Sequence, residues 1–212
     1  FLIRKPRHVY IDGFGNIFFA DYDNHSVWKI EAATGAIVRV AGKGTSGSGG
    51  DGGPATEAQL NNPRGVCTDA LGNIYIADTD NNSIRRVSAG FISTVVNTSR
   101  TYGYNGDNQP AVDAQLRNPM AVWADAAGNI YIADMDNHRI RKFTVGGNIS
   151  TVAGSGSGGT SPYGDGGSAT DAKLNSPRGF FLDATGNIYI ADSLHHAIRK
   201  VTAATGIAAS SS

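Results

Sequence analysis

The sequence predicts an all-β fold, a β-propeller of four-stranded antiparallel blades, and three observations support this. A segment that reads Gly-Asn-Ile-Tyr-Ile-Ala-Asp in three of its four copies returns every 56 to 58 residues, starting at Gly15, Gly72, Gly128 and Gly186. A proline stands nine residues before each of these glycines, at Pro6, Pro63, Pro119 and Pro177. Between the markers, short apolar runs alternate with turn-forming Gly, Asn and Asp. Two markers that keep one register across four copies indicate an internal repeat.

The second repeat shows the predicted strands most clearly. Residues 65–69, 73–77, 83–87 and 91–95 read as four strands. Residues 78–82 (Asp-Thr-Asp-Asn-Asn) form a turn, because Asp and Asn bond nearby backbone groups and tolerate left-handed geometry. One repeat is therefore a four-stranded antiparallel meander.

Such a sheet buries neither face alone, and radial stacking of blades solves that problem. A parallel β-helix is the alternative, but its rungs are much shorter than this repeat. We expect a single domain over 1–212, with repeats at approximately 1–57, 58–114, 115–172 and 173–212. The last repeat is truncated, because residues 208–212 (Ala-Ala-Ser-Ser-Ser) stand where a fourth strand belongs. We predict that these blades, about four in number, are part of a six-bladed ring. The alternatives are that they close as four blades or that copies join edge to edge.

Composition excludes several classes of protein. Gly accounts for 28 of 212 residues without a triplet period, which excludes collagen, and the single cysteine, Cys67, excludes a disulfide framework. No apolar run approaches the roughly 18 residues of a membrane span. The chain starts at Phe1, so we expect a processed chain or a fragment. A net charge of zero argues against general attraction to nucleic acid or membrane surfaces.

A long Gly-rich connection links each blade to the next. The first connection (42–62) contains Gly-Gly-Asp-Gly-Gly and leads into an Ala-x-x-Ala-x-Leu pattern that ends before Pro63. We interpret this pattern as one short helical turn whose Ala and Leu cap the seam between blades. The second and third connections repeat it with Leu116 and Leu174.

The repeats resemble the NHL family of β-propellers, named for an Asn-His-Leu run near the third strand. The corresponding positions here are Asn24-His25-Ser26, Asn81-Asn82-Ser83, Asn137-His138-Arg139 and His195-His196-Ala197. The frame Gly-Asn-Ile-Tyr-Ile-Ala-Asp, followed six residues later by Ile-Arg-Lys-Val, extends the resemblance over nearly the whole chain. The family hosts many functions, so the resemblance implies the fold and not a reaction.

Recurring acidic residues raise the question of a metal site. They are Asp51, Asp107 and Asp165 in the connections, and the pairs Asp21/Asp23, Asp78/Asp80 and Asp134/Asp136. No stretch matches a calcium-binding loop, and no Lys-Ser/Thr follows the glycines as a phosphate loop requires. We expect these carboxylates to accept backbone N–H bonds in turns.

The candidate catalytic groups are sparse. A related propeller lyase binds zinc through histidines at its centre, whereas His25, His138 and His195/His196 occupy repeat turns at the blade periphery. Cys67 reads as a small core residue, and no Gly-x-Ser-x-Gly nucleophile motif occurs. We therefore predict no catalytic, cofactor-binding or metal-binding residue.

A row of basic residues lies on the third strands. Its members are Lys29, Arg85, Arg86, Arg139, Arg141, Lys142, Arg199 and Lys200. Some NHL propellers bind single-stranded RNA through such a surface. We expect these charges to point outward for solvation, and nucleic acid is an unlikely partner at overall neutrality.

Four Asn-x-Ser/Thr sequons are candidate glycosylation sites, at Asn24, Asn81, Asn97 and Asn148. The Gly-Asp-Gly-Gly loop resembles NHL repeats of extracellular and cell-surface proteins, including teneurin ectodomains. Together these features predict a non-catalytic interaction or structural module, extracellular or at the cell surface. Its predicted partners are other copies of itself or the remainder of a longer chain. The alternatives are a lyase or hydrolase with a metal near the central channel and an RNA-binding propeller.

Overall fold

The computed structural model describes residues 2–203 and the strand at 206–209, and it contains four antiparallel sheets, which we call blades 1 to 4. Blade 1 consists of β1 (Pro6–Ile11), β2 (Ile17–Asp21), β3 (Ser26–Ile30) and β4 (Ile37–Ala41). Blade 2 consists of β5 (Val66–Thr68), β6 (Ile74–Asp78), β7 (Ser83–Ser88) and β8 (Phe91–Val96). Blade 3 consists of β10 (Pro119–Ala124), β11 (Ile130–Asp134), β12 (Arg139–Phe143) and β13 (Asn148–Ala153), with the short β9 (Gln109–Pro110) added beside β13. Blade 4 consists of β14 (Pro177–Leu182), β15 (Ile188–Asp192), β16 (Ala197–Thr202) and β17 (Gly206–Ala209).

These sheets confirm the propeller of four-stranded antiparallel blades. All four strands predicted in the second repeat lie within one residue of their observed bounds at each end. The expected truncation of the fourth repeat is wrong for its fourth strand, because Gly206–Ala209 pairs with β16. The prediction missed it because Gly206, Ala208 and Ala209 are residue types with little preference for strands.

The turn between the first two strands of each blade explains one recurring glycine. Asp69 Oδ1 accepts N–H bonds from Leu71 and Asn73, at 3.0 and 2.9 Å, which closes the turn. Gly72 lies in this turn with φ +79°, a conformation that favours glycine. A 3-10 turn then separates the second strand from the third in every blade, at Tyr22–Asn24, Thr79–Asn81, Met135–Asn137 and Ser193–His195.

The connections contain the predicted helical turn in two cases of three. Ala55–Glu57 and Ala111–Asp113 form single 3-10 turns. The third connection has an ordinary turn at 169–171 instead, so the helical prediction is wrong there. A 3-10 turn and an ordinary turn differ by little more than one hydrogen bond, and the sequence pattern did not separate them.

The apolar core lies between blades. Three clusters fill the interfaces of blades 1 and 2, 2 and 3, and 3 and 4, and we call these interfaces seams. Leu60, Leu116 and Leu174 are fully buried in successive seams, as the sequence predicted. Burial of each contributes about 1.5–3 kcal/mol. Among the described residues, no helix has the length and apolar character that crossing a membrane requires.

Candidate functional site

The recurring charged residues meet in a buried cluster in blades 2, 3 and 4. Arg85 is fully buried and donates to Asp51 in the connection that precedes its blade, at 2.8 Å, and to Asp78 at the end of β6, at 3.2 Å. The same arrangement recurs with Arg141, Asp107 and Asp134 in blade 3 and with Arg199, Asp165 and Asp192 in blade 4. Each cluster ties a connection to the blade that follows it, and we call it the Arg–Asp lock.

The inner carboxylate of each lock also holds the start of its own blade. Asp78 Oδ1 accepts the backbone N–H of Asn61 at 2.7 Å, and Asp134 Oδ1 accepts that of Arg117 at 2.7 Å. This confirms that these carboxylates serve as acceptors for backbone groups. Burial raises the pKa of Asp78 and of Asp134 to about 6, against the lowering effect of these bonds. Both carboxylates therefore remain mostly ionised at neutral pH opposite their arginines.

For the connection aspartates, the expectation of turn bonding alone is incomplete. Asp51 accepts from the Arg85 guanidinium, the Thr94 hydroxyl and Arg100. Asp107 likewise accepts from Arg141 and Thr151. The missed signal was a constant spacing, since the arginine follows the connection aspartate by 34 residues in all three blades. A carboxylate and an arginine that repeat in step are a candidate ion pair.

The residue at the second position of the Asn-His-Leu run forms a second link across each seam. We call this link the clip. His25, Asn82, His138 and His196 all adopt the left-handed conformation at the end of their 3-10 turns. The His25 Nδ1 atom accepts the Asn62 N–H at 3.1 Å, and His138 Nδ1 accepts the Ser176 N–H at 3.0 Å. In the middle seam, Asn82 Oδ1 accepts the Asn118 N–H at 3.0 Å. The clip therefore needs an acceptor that tolerates positive φ, and His and Asn both serve.

An aromatic row runs along the first strands of the blades, which lie side by side. The rings of Tyr10 and Trp123 meet edge to face at 5.6 Å, and those of Trp123 and Phe181 at 5.4 Å. Cys67 holds the equivalent position of blade 2 and is fully buried, as expected of a small core residue. Burial raises the pKa of its thiol well above the usual range, which is unsuited to a nucleophile.

Two open cavities, of about 470 and 360 Å³, lie beside the aromatic row. Trp123, Tyr131 and Leu182 line the larger, and Asp125 stands at the rim of both. The Asp125 carboxylate already accepts N–H bonds from Ala127 and Asn129 within its own turn. The Asp125 carboxylate is therefore engaged in turn formation.

Three of the five histidines face a neighbouring blade or connection across a seam, namely His8, His25 and His138, whereas His196 is exposed on blade 4. His195 contacts the Asp192 carboxylate at 2.9 Å, in the place that Asn81 and Asn137 hold in blades 2 and 3. Burial lowers the pKa of His8, whose Nδ1 atom faces the Val66 N–H at 3.5 Å. Within residues 2–203, no three His, Cys, Asp or Glu side chains are grouped so that they could hold a metal ion.

The outward orientation predicted for the basic row is wrong for three of its members. Arg85, Arg141 and Arg199 are buried in the locks, because the preceding connection supplies the carboxylate that offsets their desolvation. Arg86, Lys142 and Lys200 lie on the opposite face of their strands and are partly exposed. The row is therefore not a continuous cationic surface.

The four sequons differ in accessibility. Asn148 is exposed and Asn24 is partly buried, whereas Asn97 is fully buried and Asn81 is 9% exposed. The Asn97 amide donates to the Asn82 and Thr101 carbonyls, and the Asn81 amide donates to the Gly47 carbonyl. Burial leaves no room for a glycan on either side chain. The partly buried Asn24 amide also donates, to the Leu2 carbonyl and the Asp21 carboxylate, so in the folded chain the glycosylation hypothesis is restricted to the exposed Asn148.

Solved structures share this architecture at low sequence identity. A structural-genomics protein from Bacteroides thetaiotaomicron aligns with a TM-score of 0.69 at 21% identity, over 93% of this chain and 47% of its own. A streptogramin B lyase aligns with a TM-score of 0.61 at 14% identity, over 95% of this chain and 53% of its own. These similarities concern the fold alone. The fold and its repeated seams define the chain as a β-propeller protein.

The sequence comparisons indicate the kind of repeat. The family model "Teneurin NHL domain" matches residues 25–105. Mouse teneurin-4 is 29% identical over 84% of this chain, and bovine NHL repeat-containing protein 2 is 25% identical over 86%. These comparisons support an NHL-repeat family for this chain. The chain spans 10% of the length of teneurin-4 and 28% of that of the bovine protein.

Proposed function

We propose that this chain is a non-catalytic interaction or structural module of a secreted or cell-surface protein. One observation carries the proposal: the recurring polar side chains of the repeats are engaged in locks and clips that hold blades together. Arg85, Asp78 and His25, the residues whose types suggest chemistry, each bond to a partner across or beside a seam.

The teneurin and NHL-repeat relatives favour an interaction module, and the teneurin matches favour a place outside the cell. A chloroplastic Arabidopsis thaliana protein, Suppressor of quenching 1, is also 26% identical over 87% of this chain. The relatives therefore differ in location, and the extracellular location is a separate part of the proposal. It rests on the resemblance of the Gly-Asp-Gly-Gly loops to extracellular NHL repeats.

The competing hypothesis is a metal-dependent lyase or hydrolase, and metal content separates the two. We expect purified protein, incubated with zinc and then dialysed, to retain far less than one zinc ion per chain by mass spectrometry. The variant H8A, on the first strand of blade 1, and the control H196A, on an exposed turn, should give the same result as the wild type. Stoichiometric zinc that H8A loses and H196A retains would overturn the non-catalytic proposal.

A further inference from the structure

A third link joins a connection to the blade that follows it, and we call this link the tether. It is formed by the last residue of the 3-10 turn between the second and third strands. In blade 2, the Asn81 amide nitrogen donates to the Gly47 carbonyl at 2.7 Å and to the Asp78 carboxylate at 2.8 Å. Asn137 forms the same two bonds in blade 3. An amide nitrogen carries two hydrogens and does not titrate, so one asparagine serves both acceptors at any pH.

Blade 4 has a histidine in the tether position. The Nδ1 atom of His195 lies 2.9 Å from the Asp192 carboxylate, and its Nε2 atom lies 2.9 Å from the Gly159 carbonyl oxygen. The carbonyl is an acceptor, and the Asp192 carboxylate already accepts from the Arg199 guanidinium at 3.2 Å. A neutral imidazole has one N–H group and one acceptor nitrogen, whereas an imidazolium has two N–H groups. Both bonds of this tether therefore form only when the ring is protonated.

The tether of blade 4 is buried, so water does not replace a bond that is lost. The side chain of His195 is 5% exposed and that of Asp192 is 0% exposed. The Tyr163 ring lies beside the imidazole, with 4.2 Å between the ring centroids. A neutral ring has a single N–H to donate, and the carboxylate is a stronger acceptor than the carbonyl. Gly159 in the connection therefore loses its donor when the ring loses its proton.

The charges next to the ring balance when the ring is protonated. The lock of blade 4 holds the Asp165 and Asp192 carboxylates against the single guanidinium of Arg199. The cluster therefore has a net charge of −1, and the imidazolium of His195 brings it to zero. In blade 3, the neutral Asn137 occupies the tether position.

Three further charged or titratable side chains contact the segment 155–163 of the third connection. They are His138 beside Gly158, Arg139, which donates to the Ser155 carbonyl, and Lys173, which donates to the Thr160 carbonyl. Arginine and lysine stay charged throughout the range in which histidine titrates. His138 accepts its seam bond as the neutral ring, so its contribution changes with pH in the opposite direction.

We propose that His195 makes the third connection sensitive to pH: the protonated ring holds the segment 155–163 on blade 4, and the neutral ring releases it. The contribution of the tether is complete below about pH 6.5, where the histidine of an unfolded chain is protonated, and it is lost as the pH rises. The first and second connections stay tethered throughout, because Asn81 and Asn137 do not titrate. The inference goes beyond the proposed function and does not depend on it.

Cleavage by chymotrypsin compares two tethers within one chain. Tyr163 lies in the segment that His195 holds, and Tyr104 lies beside Gly103, which Asn137 holds. Cleavage follows the population of the locally open form, once it is divided by the rate on a free tyrosine peptide at the same pH. From pH 6 to pH 8.5, we expect cleavage after Tyr163 to rise by about tenfold and cleavage after Tyr104 to change by less than about twofold.

Substitutions at His195 separate the tether from other effects of pH. H195N should keep cleavage after Tyr163 slow at both pH values, because asparagine donates both bonds, as Asn81 does. H195A should make this cleavage fast at both pH values, because alanine donates neither bond. The control H196N makes the same substitution at the neighbouring exposed residue and should keep the pH response of the wild type. Circular dichroism confirms that each variant is folded.

Nuclear magnetic resonance of the ring nitrogens in ¹⁵N-labelled protein observes the proton directly, and the signals absent from H195N identify His195. We expect both nitrogens of His195 to carry hydrogen at pH 6 and one of them at pH 8.5. A neutral His195 ring at pH 6, or a rise in cleavage after Tyr163 that H195N retains, overturns the proposal.

Discussion

Blades 1 and 3 carry different side chains at the same position of their third strands, Trp28 and Arg141. Both blades have a fully buried aspartate at the end of the second strand, Asp21 and Asp134, and in both it accepts a backbone N–H bond. Arg141 pairs with Asp107 in the connection that precedes its blade, whereas the Trp28 indole donates to the Ser26 hydroxyl on its own strand. An arginine at this position therefore depends on the connection as well as on its own blade.

The largest expected effect comes from removing the inner carboxylate of a lock. D134A should lower the free energy of unfolding by about 3–5 kcal/mol, because it leaves the Arg141 guanidinium buried with its inner partner missing. D21A should cost less, about 1–3 kcal/mol, because it leaves unsatisfied hydrogen-bond donors and no buried arginine. Urea unfolding measures both values. Equal losses would contradict the distinction between the two blades.

A second prediction compares a residue of an internal seam with the residue at the equivalent position of blade 1. L116A should cost about 2–5 kcal/mol, because it opens a cavity in the seam between blades 2 and 3. I3A, at the equivalent position, should cost less, because Ile3 is 42% exposed whereas Leu116 is fully buried. A loss for I3A as large as that for L116A would contradict this exposure.

The smallest expected effect is a pH dependence of the seam between blades 3 and 4. Burial lowers the pKa of His138, and the neutral ring accepts the Ser176 N–H. The folded state therefore binds this proton more weakly than the unfolded state, whose histidine titrates near pH 6.5. The contribution of His138 is complete above about pH 6.5 and is lost as the pH falls through the lower folded pKa.

The variant H138N isolates the pH-dependent contribution of His138 to stability, because an asparagine, as Asn82 shows in the middle seam, accepts the same bond without titrating. Between about pH 7.5 and pH 5.5, the thermal midpoint of H138N should fall less than that of the wild type. H196N serves as the control, since it makes the same substitution at an exposed residue outside the seam between blades 3 and 4. Identical profiles for H138N and the wild type would show that the clip does not titrate.

The strands and turns were predictable because their determinants are local. Asp69, Gly72 and Asn73 form a turn through contacts within five residues, and Ile74–Asp78 follows as a continuously buried strand. The burial of Leu60 was predictable from the Ala-x-x-Ala-x-Leu pattern. Contacts between residues that are close in sequence can therefore be predicted from the local residue pattern.

The locks and clips were not predicted, because both join groups that are distant in the chain. Arg85 looked like a solvated strand residue until Asp51, 34 residues earlier, was placed beside it. The accessibility of the sequons could not be predicted either. Asn97 and Asn148 share one triplet pattern and differ only in what the fold packs around them. Long-range packing, which no local pattern encodes, decides such cases.

The constant separation of the lock residues fixes their order of appearance during synthesis. Translation proceeds from the N-terminus, so Asp51 leaves the ribosome 34 residues ahead of Arg85, and Asp78 leaves it 7 residues ahead. The same order holds for Arg141 and Arg199. Each guanidinium that will be buried therefore emerges into a nascent chain that already contains both of its counterions.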